Sequence, residues 1–257
     1  MTSTNTSGSV ALSVNLNKVA LIRNSREGNF PDLRQFAEIC INAGVQGLTV
    51  HPRPDQRHIR PDDVYLLADM CRNADIEFNI EGNPLAPALN DYPGLLPMVE
   101  RARPTQCTLV PDTDQQLTSD HGFDLIQHGD VLQPIIEKLK VLDTRVSLFM
   151  DPDKEQIRRV KALGAERIEL YTGPFAWAFD QDTEKAKALF EEHCLAAEYA
   201  HALGLGINAG HDLNLRNMVQ YRRLPGLQEV SIGHALTVDA LLMGFESALK
   251  AYLAVCN

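Results

Sequence analysis

Short apolar and β-branched runs alternate with longer amphipathic stretches along this chain, the rhythm of βα units around a parallel sheet. Eight runs stand out, at residues 11–15, 47–51, 77–81, 106–110, 145–150, 167–171, 206–209 and 229–232, and each is followed by a stretch that predicts a helix. Proline or an acid falls where helices should begin: Pro31-Asp32, Arg60-Pro61-Asp62-Asp63 and Asp151-Pro152-Asp153. Eight such units close on themselves, so the pattern predicts an α/β fold, a (β/α)8 TIM barrel. Segments 111–144 and 172–205 exceed one simple helix, and extra helices are expected in both.

The length of 257 residues suits one barrel domain spanning the chain, with residues 1–9, rich in Ser, Thr and Asn, expected as a flexible tail. A net charge of -10 argues against a nucleic-acid partner, because phosphate backbones select basic patches. Local anion sites remain open to an acidic chain, since helix N-termini bind phosphate regardless of net charge. No apolar run approaches a membrane span, the start lacks the features of a signal peptide, and the five cysteines have no CxxC spacing. A soluble, cytoplasmic protein with reduced thiols is expected.

In such barrels the active site lies at the C-terminal ends of the strands, and here those ends are polar. The first strand closes in Asn15, Asn17 and Lys18, the second in His51 and the third in Glu81. The sixth carries Glu169, the seventh leads to Gly210-His211-Asp212, and the eighth to Gly233-His234. A single polar strand end usually caps a helix or faces water. Two glutamates and several histidines converging on one mouth instead offer acid and base partners for multistep proton transfer. Glycine meets a following helix after strands seven and eight, where barrels often hold a phosphate. The stretch 49–60, with His51, Arg53, Arg57, His58 and Arg60, suits a phosphorylated sugar if its cations face inward. His121, His128, His193 and His201 are read as structural or solvated, and Trp177 as packing in a loop. No metal motif is present.

Together these segments resemble the pyridoxine 5'-phosphate synthases. The likeness runs from about Leu12 to Leu249 and includes Ser13-Val14-Asn15, Leu21 to Arg26, Thr49 to Ile59, Asn79-Ile80-Glu81, Leu109-Val110-Pro111, Val146 to Phe149, Ile168-Glu169, Asn208 to His211 and Ile232 to Ala235. The resemblance implies a barrel with additional helices, a homo-octamer, and no metal or organic cofactor. It implies a transferase that condenses 1-deoxy-D-xylulose 5-phosphate with 3-amino-2-oxopropyl phosphate to pyridoxine 5'-phosphate, phosphate and water. Carried over, His51 and Glu81 are proton acceptors, His211 is the proton donor, and Glu169 stabilises a transition state. Asn15, Arg26, Gly233 and His234 hold the amino-ketone phosphate, and Arg53, His58 and Thr118 the deoxyxylulose phosphate. Many members carry Asp-His where this chain has Asn17-Lys18, His at Tyr171 and Gly at Asp212, so substrate contacts at Asn17, Lys18 and Asp212 are its own. Lys18 and Asp212 lie beyond strands separated by one neighbour, and Lys18 is expected to reach Asp212 directly or through substrate. Two rivals stay open: an aldolase with a Schiff base on Lys18, and a non-catalytic phosphometabolite sensor.

Overall fold

The computed structural model describes residues 9–113 and 115–257. Of the expected tail, residues 1–8 lie outside the described residues and Ser9 is exposed. The order is β1 (Ala11–Asn15), α1 (Asn17–Asn24), α2 (Leu33–Ala43), β2 (Gly47–Val50), α3 (Pro61–Ala74), β3 (Glu77–Gly82), α4 (Leu95–Ala102), β4 (Gln106–Leu109), α5 (Leu125–Val141) and β5 (Arg145–Met150). It continues with α6 (Lys154–Ala162), β6 (Arg167–Tyr171), α7 (Gly173–Gln181), α8 (Thr183–Ala202), β7 (Gly206–Gly210), α9 (Met218–Tyr221), β8 (Leu227–Ile232), α10 (His234–Met243) and α11 (Phe245–Cys256). All neighbouring strands are parallel, and β8 pairs with β1 to close the barrel.

Three of the helix starts work as their residues suggest. The Asp32 carboxylate accepts from the amide of Arg34, and that of Asp153 from the amides of Glu155 and Gln156, covering donors that a helix start leaves orphaned. Pro61 opens α3 while Asp63 reaches back to the Arg60 amide at 2.8 Å. Segment 172–205 holds two helices, as expected, but Trp177 sits in α7 rather than in a loop and is largely exposed. Segment 111–144 departs from expectation: among the described residues it holds α5 alone, after a coil over 111–124. That coil is short of apolar residues at helical spacing, and so has no face to bury.

The two faces of the strands divide the labour. Leu12, Val14, Leu48, Val50, Ile80, Leu109, Leu148, Ile168, Leu170, Ile207 and Val230 are buried under the surrounding helices, each contributing about 1.5–3 kcal/mol. The alternate residues bond to one another across the lumen. Asn208 on β7 donates to Gln106 on β4, Arg145 on β5 reaches Glu77 on β3, and Asn15 on β1 approaches Glu81 on β3. None of these strand pairs are neighbours, so the contacts pass through the interior. Ser13, Thr49, Asn79 and Thr108 continue the series as a hydroxyl and amide ladder. The lumen is therefore polar where most barrels pack branched aliphatics.

Candidate active site

His51 follows the last residue of β2 and is almost wholly buried. Its backbone amide donates to Oδ1 of Asn17, the first residue of α1, at 2.9 Å. Asn17 in turn donates its own amide to Asn15 Oδ1. The ring lies between two carboxylates: Nδ1 is 3.6 Å from Glu81 Oε2, and Nε2 is 3.2 Å from Asp112 Oδ2. Burial opposes a charge on this imidazole, but Asp112 and Glu81 outweigh it and push His51 up to about 9. Asp112 resists its own burial because His51 and Arg53 hold its carboxyl below the usual range.

Arg53 and His58 are also buried, which answers whether the cations of 49–60 face inward. The Arg53 guanidinium pairs with Asp112 and donates to the carbonyls of Thr113 and Gln116, while Arg57 donates to the Gln116 carbonyl as well. Both arginines thus tie the coil after β4 to the coil after β2. Burial, then the charges of His51, Arg53, Arg57 and Lys18, bring His58 down to about 3, so it is neutral, its Nδ1 accepting from the Ile59 amide. Arg23 on α1 braces this coil through two bonds to Asp63 and one to the His58 carbonyl. Arg26, three residues on, is exposed beyond the end of α1 and donates to the adjacent Ser25 carbonyl, away from the cluster.

Glu169 on β6 is buried, and its carboxyl is held well above the usual range by burial first and then by Glu81 and Glu229, with a bond to Thr108 pulling weakly back. Gly210 packs against it, and a Cβ there would displace the Glu169 carboxylate. The chain then turns sharply, with His211 at φ 91° and Asp212 at φ 58°, an uncommon backbone for residues with side chains. The Thr172 hydroxyl holds the turn by donating to the carbonyls of Gly210 and His211. His211 Nε2 lies 2.8 Å from the Thr118 hydroxyl and Nδ1 lies 2.9 Å from Asp212 Oδ2. A carboxylate only accepts, so the Nδ1 hydrogen faces Asp212. The Tyr171 ring meets His211 edge to face at 5.2 Å.

Lys18 makes no direct ion pair with Asp212, which corrects the direct form of the expected pairing. The left-handed turn points Asp212 at its own neighbour, and Lys18 acts on it through its field alone, after His211 and His234, in holding that carboxyl low. Gly233 is packed so closely on Asn15 that an added Cβ would lie 3.0 Å from Asn15 Cβ, and His234 begins α10, exposed. A cavity of about 210 Å³ opens among His51, Arg53, Asn83 and Asp112, and a groove of about 390 Å³ among Trp177, Asp212, Arg216, His234 and Val238. The bland reading of His193 holds: it is buried against the Tyr221 hydroxyl at 2.7 Å, and burial brings it down to about 4. Asp112 was missed by the sequence reading, although it stands only three residues beyond β4.

Fold and mouth together define a (β/α)8-barrel enzyme whose strand ends gather acids and bases in a buried cluster. The family model described as "Pyridoxal phosphate biosynthesis protein PdxJ" matches residues 12–257, and the chain belongs to this family. It is 54% identical over 249 residues to a pyridoxine 5'-phosphate synthase of Xanthomonas campestris pv. campestris (strain B100), covering 96% of each chain. It is 47% identical to one from Xylella fastidiosa (strain M23), covering 96% of this chain and 94% of that one. Among solved structures, tryptophan synthase from M. tuberculosis aligns with a TM-score of 0.64 at 11% identity over 97% of this chain and 94% of that one. Thiamine phosphate pyrophosphorylase from Pyrococcus furiosus aligns at 0.59 and 9% identity over 96% and 95%. At such identities these two speak for the barrel alone.

Proposed function

We propose that this chain condenses 1-deoxy-D-xylulose 5-phosphate with 3-amino-2-oxopropyl phosphate, giving pyridoxine 5'-phosphate, phosphate and water. The observation that carries this is the buried cluster of His51, Glu81 and Glu169 at the strand ends of a chain that matches its family model almost end to end. The amine must add to the sugar ketone, water and phosphate must leave, and a ring bond must close, so protons move at every step. His51 begins as a cation, Glu169 has its carboxyl held well above the usual range, and His211 presents Nε2 to the mouth, which supplies donors and acceptors of different strength within one cavity.

In this reading Arg53, His58 and Thr118 face the deoxyxylulose phosphate. Asn15, Gly233 and His234 face the amino-ketone phosphate, where the N-terminus of α10 favours an anion. Arg26, exposed beyond the end of α1, is kept as a contact of the amino-ketone phosphate. The exposed apolar residues Leu21, Ile22, Leu241 and Leu242 suit an assembly of copies, for which we keep the homo-octamer. No described helix is long and apolar enough to cross a membrane, and the cytoplasm is the proposed compartment. Incubating the pure protein with both substrates should yield pyridoxine 5'-phosphate without added metal. Ligand retention without turnover, or borohydride trapping of substrate carbon on Lys18, would overturn the proposal.

A further inference from the structure

Asp112 belongs to none of the substrate contacts assigned above, yet it is buried and ion-paired on one oxygen to two of them. Its Oδ2 lies 3.2 Å from His51 Nε2 and also pairs with Arg53 Nη2. Arg53 is in turn fixed by the carbonyls of Thr113 and Gln116, and the His51 backbone by Asn17. The ring is therefore held between Asp112 and Glu81, and its backbone by Asn17. Nε2 is thus ion-paired with Asp112 at 3.2 Å, and Nδ1 is the nitrogen that faces Glu81, at 3.6 Å. We propose that Asp112 is a positioning residue that clamps His51 between two carboxylates, so that the His51–Glu81 pair begins each turnover with one transferable proton on Nδ1.

The inference rests on the reading of His51 and Glu81 as the reacting acid/base pair and deepens it. Unclamped, an imidazole at the end of a strand could rotate about its side-chain bonds and present either nitrogen. Clamped, it has one working atom, and the proton count closes. His51 gives its Nδ1 proton to a substrate hydroxyl, which departs as water, and is left neutral beside the Glu81 carboxylate. Glu81 then removes a proton from substrate carbon and passes it to Nδ1, restoring the starting state. Asp112 stays an anion throughout and neither gains nor loses a proton, the division of labour of an orienting carboxylate behind a catalytic histidine. His51 thus donates before it accepts. The charged and titratable groups around it are Glu81 from β3, Asp112 from the coil after β4, and Arg53 and His58 from its own coil.

The test compares Asp112→Asn, Asp112→Glu, His51→Gln and the double variant His51→Gln/Asp112→Asn, each checked for a native melting transition. In ligand-free protein, the His51 ring should titrate by NMR near 9 in the parent chain, fall by at least one pH unit in Asp112→Asn, and stay high in Asp112→Glu. At saturating substrates the turnover of Asp112→Asn should drop on the order of 10²-fold. On the His51→Gln background the same change should cost almost nothing further, because the residue it positions is already gone. Loss of Arg53 support would instead raise KM for the sugar phosphate and leave kcat alone. An unmoved His51 titration in Asp112→Asn, or kcat losses that multiply in the double variant, would overturn the positioning role. Should Asp112→Asn fail to fold, Asp112→Ser takes its place and must lower the His51 titration by the same margin, an unmoved value again overturning the role. Full turnover in His51→Gln would instead sink the reading of His51 itself, a different failure.

Discussion

The two ends of this barrel are both lined with charge, and they use it in opposite ways. At the base, Arg145 pairs with Glu77 and approaches Glu229 at 3.9 Å, while Arg167 pairs with Glu229 at 3.1 Å. Two cations meet two anions, and Gln106 and Asn208 each accept one further bond from an arginine. Burial and Glu77 still push Glu229 up, to about 7, against the pull of both arginines, so even a matched set strains under desolvation. At the mouth the balance is partial, because Arg53 shares Asp112 with His51 while Glu169 is set among other carboxylates. Glu169 has Glu81 and Glu229 in its field and no arginine, while His51 has two carboxylates and one ring. The arginine-paired base serves the fold, whereas the mouth keeps a cationic histidine beside a carboxyl, that of Glu169, whose hold on a proton is raised.

That contrast predicts a separation of stability from activity. The largest expected effect is at the mouth: Glu81→Gln keeps the shape and removes the base, so turnover should fall about 10²–10⁴-fold while the melting temperature stays close to that of the parent. Steady-state kinetics and calorimetry on the same preparation check both halves. Turnover within a few-fold of the parent would remove Glu81 from the chemistry and erase the difference between the two ends.

The base should answer in the opposite sense. Arg167→Met leaves Glu229 with only the more distant Arg145 and frees Asn208 of a bond, which should destabilise the chain by about 3 kcal/mol. For a barrel of this size that lowers the melting temperature by roughly 6–12 °C. Because Arg167 sits at the start of β6, kcat of the folded fraction should stay within about twofold. A large loss of kcat with an unchanged melting temperature would show that the base serves the reaction rather than the fold.

How much of this could be read from the chain depends on whether the signal is local. Strand positions were legible because each strand carries its own aliphatic face, and His51, Glu81 and Glu169 were legible because a parallel barrel sends every strand end to one rim. The polar lumen was also in plain sight, as the alternation of Gln106 with Cys107 or Asn208 with Ala209. It passed unremarked because the apolar alternates suffice to identify a strand. Arg23 and Arg26 differ by three positions, and only the register of α1, which buries Val19, Ala20 and Arg23, tells which turns inward. Asp112 lies in a coil whose path is set by bonds from Arg53 and Arg57, contacts that span about sixty residues and leave no periodic trace. The missing helix in 111–124 is the same lesson: a coil pinned by arginines needs no apolar face of its own.

The smallest effect, and the sharpest test of the contrast, concerns Asp212. It stands at the mouth yet is matched like a residue of the base, its Oδ2 taking the Nδ1 hydrogen of His211 at 2.9 Å. Its side chain is 47% exposed, so water screens the pair, and such an interaction carries only about 0.2–1 kcal/mol. If that energy serves to aim Nε2 at the reacting atoms, Asp212→Asn should lower kcat by about 1.4–5-fold, the same free energy expressed as a rate. Substitution by Gly separates the backbone from the carboxylate. At φ 58° a residue with a Cβ is in a region glycine enters freely, so Asp212→Gly should melt no lower than the parent while losing turnover as Asp212→Asn does. Nitrogen chemical shifts of the His211 ring give the direct reading: hydrogen on Nδ1 in the parent, and a mixture of tautomers in both variants. If both variants keep full turnover, Asp212 only pins the turn, and unmatched charge at the mouth is confined to the side of the barrel that carries His51, Glu81 and Glu169.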